Sequence, residues 1–433
     1  MLEDLPDVPP AVVLLLVEVS LKSRGDYLDA RRRLKALLPE LKAQSEVYEA
    51  QQIAAPRVAA PPGRMDIYMD GGLNLFDSDA SCRSWNCRTA GAVRLARSVG
   101  LIADTIWLTD YLTERFCRFG RVTNQKLDEV LADTLVLGEL MPLILDGIVK
   151  FRTPWIPACP SCSASFYEEV DEIAAHLCKE YAGEFALVGH GGDAYSIGTG
   201  DLYSPTLDLQ ITPSKTGKGS IPSVDTYAIK VAHAAVQSAL WVGREAVLGG
   251  GSIFSNSKIG LAGLAYKDAR ARSHSELRLL EDKRSIVVPW VNNLSPHQIV
   301  QLRREASKAL PTFRETLARG LSPTLPGDSD SSGIDLIDDL RMQAAEVRGE
   351  LENTRQHANR FWKTAYVTLG FGISAYGVGT DQVMPALGGL LPLLQLLMNH
   401  KSGTEAEMEK LHRRPGYVLV KAQDILAHDH QLS

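Results

Sequence analysis

The chain has 433 residues, of which 45% are hydrophobic and 23% charged, with a formal net charge of -6. Those proportions describe a globular protein with room for two or three domains, and they exclude collagenous, low-complexity and small disulfide-framed chains. Net negative charge also removes any global drive toward nucleic acid, leaving only local basic patches.

The N-terminus, MLEDLPDVPP, is acidic and lacks the basic region of a secretory leader. The apolar run Ala11–Val17 is too short to cross a bilayer and ends at Glu18. The expected compartment is the cytoplasm, where thiols stay reduced. Residues 26–50 read as an amphipathic, charge-laced helix, stopped by Pro56, Pro61 and Pro62. Residues 1–63 are thus an N-terminal helical segment with its linker.

Residues 64–292 are read as an α/β domain. Strand signals at Asp66–Met69, Thr105–Leu108 and Ile148–Phe151 alternate with helical runs at Thr89–Val99 and Leu127–Leu145. Such alternation predicts a mostly parallel sheet with flanking helices. A helix over Phe166–Tyr181 follows, then short strands at Phe185–Val188, Ala194–Ile197 and Leu207–Ile211. A helix over Val224–Val247 leads into the glycine loop Gly249–Gly251, and Ser285–Val291 reads as a last strand.

Residues 293–433 are read as a largely α-helical C-terminal domain. Ser295 is an N-cap with Pro296 at the first helical position, and Ile299, Leu302, Ala306, Ala309, Phe313 and Leu317 mark one face. Pro311 should kink this helix, and residues 321–333 form a polar linker. Beyond it Ile337, Leu340, Ala344, Val347, Leu351, Thr354, Ala358 and Phe361 repeat at heptad spacing. The small and polar members of that seam favour a helix packed in its own bundle over an intermolecular coiled coil. Between Thr364 and Met398 the sole charge is Asp381, which splits the stretch into halves shorter than the roughly twenty residues a span needs. A buried helical hairpin is expected there, with membrane insertion the alternative.

Two cysteine pairs, Cys82/Cys87 and Cys159/Cys162, have chelating spacing, and together they would complete the tetrahedral thiolate shell of a structural Zn²⁺ site. The alternative is free thiols. Three other motifs are incomplete. The segment 157–162 lacks the upstream histidine of a zinc deaminase, since His176 is the first in the chain. Lys215–Ser220 lacks the leading glycine of a phosphate loop, because Thr212 holds that place, and Gly249–Gly251 lacks dinucleotide-loop spacing. The His190–Asp193 stretch reads as a tight glycine turn.

Carboxylates at strand ends are the remaining enzymatic signal, because ligands of open parallel sheets bind beyond the strands' carboxyl ends. Asp70 ends the first strand, and Asp110 ends the second with Glu114 one turn later. MDIYMDGGLNLF (65–76) and DTIWLTDYLTERF (104–116) resemble the opening strands of PIN-type ribonuclease domains. The resemblance covers roughly residues 65–200 and implies that Asp70 and Glu114, with Asp171 and Asp193, hold Mg²⁺ or Mn²⁺ for phosphodiester cleavage. Gly71 and Gly72 stand where the family carries a small hydroxyl residue and then Asn or Ser.

The leading functional expectation is a cytoplasmic binding or assembly protein whose helical C-terminal region meets a protein partner or a second copy. The basic segment 267–304 offers nucleic acid a foothold. Metal-dependent nuclease action and membrane disturbance through 364–398 are the alternatives.

Overall fold

The first three strand signals join one parallel sheet in the computed structural model. It describes residues 5, 7–54, 64–76, 84–153, 159–189, 195–203, 208–211, 223–266, 293–321, 339–340, 342–351 and 409–432. The expected strand Ser285–Val291, the linker 321–333 beyond its first residue, and the charge-poor stretch 364–398 therefore lie outside the described residues. The chain divides into two units, Met1–Arg284 and Ser285–Ser433.

In the first unit, the four-stranded sheet contains β1 (Asp66–Asp70), β2 (Thr105–Thr109), β3 (Val149–Arg152) and β7 (Ser252–Ser255) in the order β3-β2-β1-β7. Every neighbouring pair is parallel. Strand periodicity of two sends Ile67, Met69, Ile106, Leu108, Val149 and Phe151 to one face, where all are buried. Full burial of side chains this size stabilises by about 1.5–3 kcal/mol each. The helices α3 (Trp85–Ile102) and α5 (Asn124–Leu145) pack together, and α5 also lies against β3. On the opposite face α7 (Val224–Gly249) crosses β1, and Tyr68, Val242 and Ala246 form a small cluster against Trp107 and Ile253.

The N-terminal segment belongs to this unit. Helix α1 (Pro10–Leu14) runs on as a π-helical stretch, Leu15–Leu21, and α2 (Tyr27–Ala54) packs on α5 and on α4 (Tyr111–Cys117). Asp7 accepts a hydrogen bond from the Phe151 backbone at 2.8 Å through its carbonyl, and its carboxylate meets Lys150 at 2.8 Å. Those contacts occupy part of the outer edge of β3, which would otherwise present unpaired backbone groups.

A second layer follows in the chain. Helix α6 (Pro160–Glu180), the antiparallel strands β4 (Ala186–Gly189), β5 (Tyr195–Gly198) and β6 (Asp208–Ile211), and α8 (Lys258–Ala265) gather with α7. Val170, Ile173 and Leu177 of α6 meet Ala232 and Val236 of α7, Ile197 of β5 and Ile259 of α8 in one buried cluster.

The loop Gly249–Gly251 has a packing role. Gly250 adopts φ +68°, closing α7 in the left-handed conformation. A Cβ on Gly249 would collide with the Tyr68 hydroxyl, and one on Gly251 would lie 2.5 Å from the Asp66 carbonyl. Glycine is required here so that α7 can turn tightly over β1 into β7.

In the second unit, α9 (Pro296–Glu305) opens with a capping box between Ser295 and Gln298. The expected single kinked helix is two, because the chain leaves helical geometry at Ala306 and α10 (Leu310–Leu321) restarts with Pro311 in its first turn, where its missing N–H costs nothing. Leu340, Ala344 and Val347 of the heptad seam are buried in helical backbone, and Arg348 pairs with Asp424 of α11 (Gly416–Leu432) at 3.3 Å. Lys421 of α11 reaches Glu305 at 3.4 Å. This part of the seam faces inward. Among the described residues, no helix is long and apolar enough to cross a membrane.

One buried ion cluster binds the helices of the first unit to the turn after β1. Asp133 of α5 is fully buried, and its two oxygens pair with Arg88 of α3 and Arg115 of α4. Arg88 Nε also donates to the Leu75 carbonyl at 2.8 Å, and Arg115 Nη2 to that of Phe76 at 3.4 Å. Removing the shared acid strands two cations, so Asp133→Ala should destabilise by about 3–5 kcal/mol in urea unfolding. Gly249→Ala should cost about 1–3 kcal/mol by overpacking, and less in a Tyr68→Phe background that lacks the colliding hydroxyl.

Candidate functional site

The strand order marks a place for ligands. From β1 the chain passes to β2 and β3 on one side and later returns to β7 on the other, so its connections part at the carboxyl ends of β1 and β7. That is where open α/β sheets bind ligands. Asp70 stands there, at the last position of β1, with no exposed surface.

Its carboxylate is fully engaged. Ser238 of α7 donates to Oδ1 at 2.6 Å and Ser255 of β7 to Oδ2 at 2.7 Å, while the Gly71 backbone adds a third bond. Burial pushes the Asp70 carboxyl above the ordinary range, opposed by the two serines, Gly71 and the positive charge of Arg152. Ser255 Oγ in turn accepts from the Ser257 backbone at 3.0 Å, and Ser257 Oγ caps α8 by accepting from Gly260 at 3.0 Å. The acid is thus the origin of a bond chain running through the start of α8.

The turn after Asp70 explains the first of the two glycines. Gly71 has φ +62°, and a Cβ there would lie 2.8 Å from Asn256 Oδ1. That oxygen accepts from the Gly72 backbone at 2.9 Å. A hydroxyl-bearing residue has no room at position 71, and the hydroxyls come instead from Ser238 and Ser255. Asn74, buried in the same turn, accepts from the Thr109 backbone at 3.2 Å, tying the end of β2 to that of β1.

Beside this lies an ion pair, Arg152 Nη1 to Glu245 Oε2 at 3.3 Å, both almost fully buried. The Arg152 guanidinium also lies 5.2 Å from the centre of the Tyr68 ring, which stacks on Trp107.

At the end of β2, Asp110 is buried and caps α4, accepting from the Thr113 backbone at 2.9 Å. Burial raises its carboxyl to about 6, with the nearby Glu114 charge pushing the same way and hydrogen bonds from Thr113 and Leu112 opposing. A small cleft joins Asp110, Thr113, Glu114 and Thr153 to Tyr48 and Glu49 of α2. Glu114 itself pairs with Arg118 at 2.6 Å. Burial, followed by the charges of Asp110 and Asp7, holds the Tyr48 phenol above its usual range. Burial and Glu49 raise the Cys117 thiol to about 12.

The remaining expected site residues are dispersed. Asp171 is a largely exposed residue of α6, 3.3 Å from His233 of α7, and His233 precedes Ser238 by more than one helical turn. Asp193 and Cys82 lie outside the described residues. Cys87, Cys159 and Cys162 are exposed free thiols, the first in the opening turn of α3 and the others at the start of α6. Among the described residues no three His, Cys, Asp or Glu side chains gather closely enough to hold a metal ion. Sequence reading missed Ser238, Ser255 and Arg152, whose importance comes from partners far away in the chain.

No family model matches the chain. No curated protein matches it, and no solved structure does.

The raised Asp110 carboxyl makes stability depend on pH. With the folded value near 6 and the unfolded one near 3.9, this group's stabilising contribution is complete below about pH 4 and is lost as pH rises through about 6. Asp110→Asn keeps an N-cap residue but cannot ionise. The variant should therefore gain up to about 3 kcal/mol on wild type between pH 4 and pH 7, read from chemical denaturation across that range.

Proposed function

We propose that this chain is a binding or assembly protein, built on an α/β domain whose switch-point acid serves architecture. The supporting observation is the state of Asp70, with both oxygens engaged by serine hydroxyls and Arg152 as the cation acting on it. A divalent ion would have to displace those hydroxyls and share the position with a fixed positive charge. The residues present fit such an ion poorly. Glu114 is tied to Arg118 and Asp171 to His233, so neither adds a second carboxylate beside Asp70.

The partner class is a protein. The buried seam residues Leu340, Ala344 and Val347 are consumed inside the second unit, so contact falls to its outer helical surfaces. The competing reading, metal-dependent cleavage of nucleic acid, draws on the place of Asp70 at the sheet's switch point.

One experiment separates the two. Full-length protein is incubated with single- and double-stranded RNA and DNA in Mg²⁺ or Mn²⁺, alongside Asp70→Asn. Binding predicts intact substrates with both proteins. Cleavage by wild type that disappears in Asp70→Asn would replace this reading with the nuclease.

A further inference from the structure

The thiols of Cys159 and Cys162 open α6 on the strand–loop–helix path that leaves β3. Cys159 is the N-cap: its Sγ accepts from the Cys162 backbone N–H at 3.5 Å and lies 3.1 Å from Ser161 Oγ. Cys162 thus presents its backbone N–H to the Cys159 sulfur three residues earlier, with its own thiol in the same first turn of the helix. Both residues are exposed. Pro160 occupies the first helical position, and its fixed φ suits the turn in which Cys159 caps the helix. A solvent-accessible Cys-x-x-Cys pair at the start of a helix suits thiol–disulfide exchange.

The other cysteines differ. Cys117 and Cys178 are partly buried, and burial raises both thiols. Cys87 is exposed, in the opening turn of α3. The 159/162 pair combines access, a second exposed thiol three residues on, and a backbone N–H aimed at the attacking sulfur.

We propose that Cys159 and Cys162 form a reversible dithiol–disulfide couple, with Cys159 the attacking sulfur and Cys162 the resolving one. The co-reactant is a small-molecule or protein disulfide, RSSR. The Cys159 thiolate attacks one sulfur of RSSR, forming a Cys159–S–S–R bond and breaking the R–S–S–R bond, and RS⁻ leaves. The Cys162 thiolate then attacks Cys159 Sγ, closing the 159–162 disulfide and expelling the second RS⁻. The two thiol protons end on the two released thiols. Two electrons pass from the protein to RSSR, and the sequence runs backward with excess RSH.

The test uses reduced, full-length protein in glutathione/glutathione-disulfide buffers of stepped ratio, trapped by alkylation and mapped by peptide mass spectrometry. The expected result in wild type is a 159–162 disulfide rising in one two-electron transition, with little glutathione adduct. In Cys162→Ser the resolving step is gone, so glutathione should accumulate on Cys159 as the dominant species. A persistent glutathione adduct on wild-type Cys159, or no 159–162 disulfide even in fully oxidised glutathione, would overturn the proposal. So would thiols that stay unreactive until a zinc chelator is added.

Discussion

A carboxylic acid is fully buried at the end of an inner strand of the first unit's sheet. Asp70 ends β1, and its two oxygens reach a serine on the overlying helix and another on the neighbouring strand. A buried carboxyl without partners would cost several kcal/mol, so these bonds constrain where α7 and β7 can lie relative to β1. The tight turn at Gly71, the Asn256 contact and the capped start of α8 all follow from that arrangement. At the carboxyl ends of β1 and β7, where open α/β sheets bind ligands, the hydroxyls of Ser238 and Ser255 are bonded to Asp70.

Charge is handled in a second way one layer away. Asp133 neutralises two arginines at once, and those arginines hold carbonyls of the segment that follows Asp70. Three helices and one turn are thereby fixed by a single acid. Hydrophobic packing sets the layers, while these polar clusters select their register, a role for which buried polar groups are suited when every member is satisfied.

Much of the first sheet was legible in the sequence. Runs such as Ile67-Tyr-Met69 and Ile106-Trp-Leu108 are continuous because parallel strands are covered on both faces, and the alternation of strands with helices gave their direction. Ser295 announced itself as an N-cap for an equally local reason, and the structure adds Gln298 to complete a capping box. By contrast β7, with the sequence SIFS, is too short to carry a pattern, and it is a strand because β1 pairs with it from 185 positions away. Asp70 and Asp110 could be picked out as acids at strand ends. The hydroxyls and the arginine that determine what Asp70 can do lie 168, 185 and 82 positions further along, beyond the reach of any local motif. The glycines after Asp70 were visible as a departure from a nuclease pattern, but what crowds Gly71, the close approach of Asn256, is a tertiary contact.

The most direct measurement of the central claim is a double-mutant cycle on Asp70→Ala and Ser255→Ala, followed by equilibrium unfolding in urea. If the acid is an architectural lock, the pair should show a coupling of at least about 1 kcal/mol, since each residue's loss removes the other's partner. Effects that add to within about 0.5 kcal/mol would mean that the bond contributes nothing to holding β1 against β7, and Asp70 would then be no lock at all.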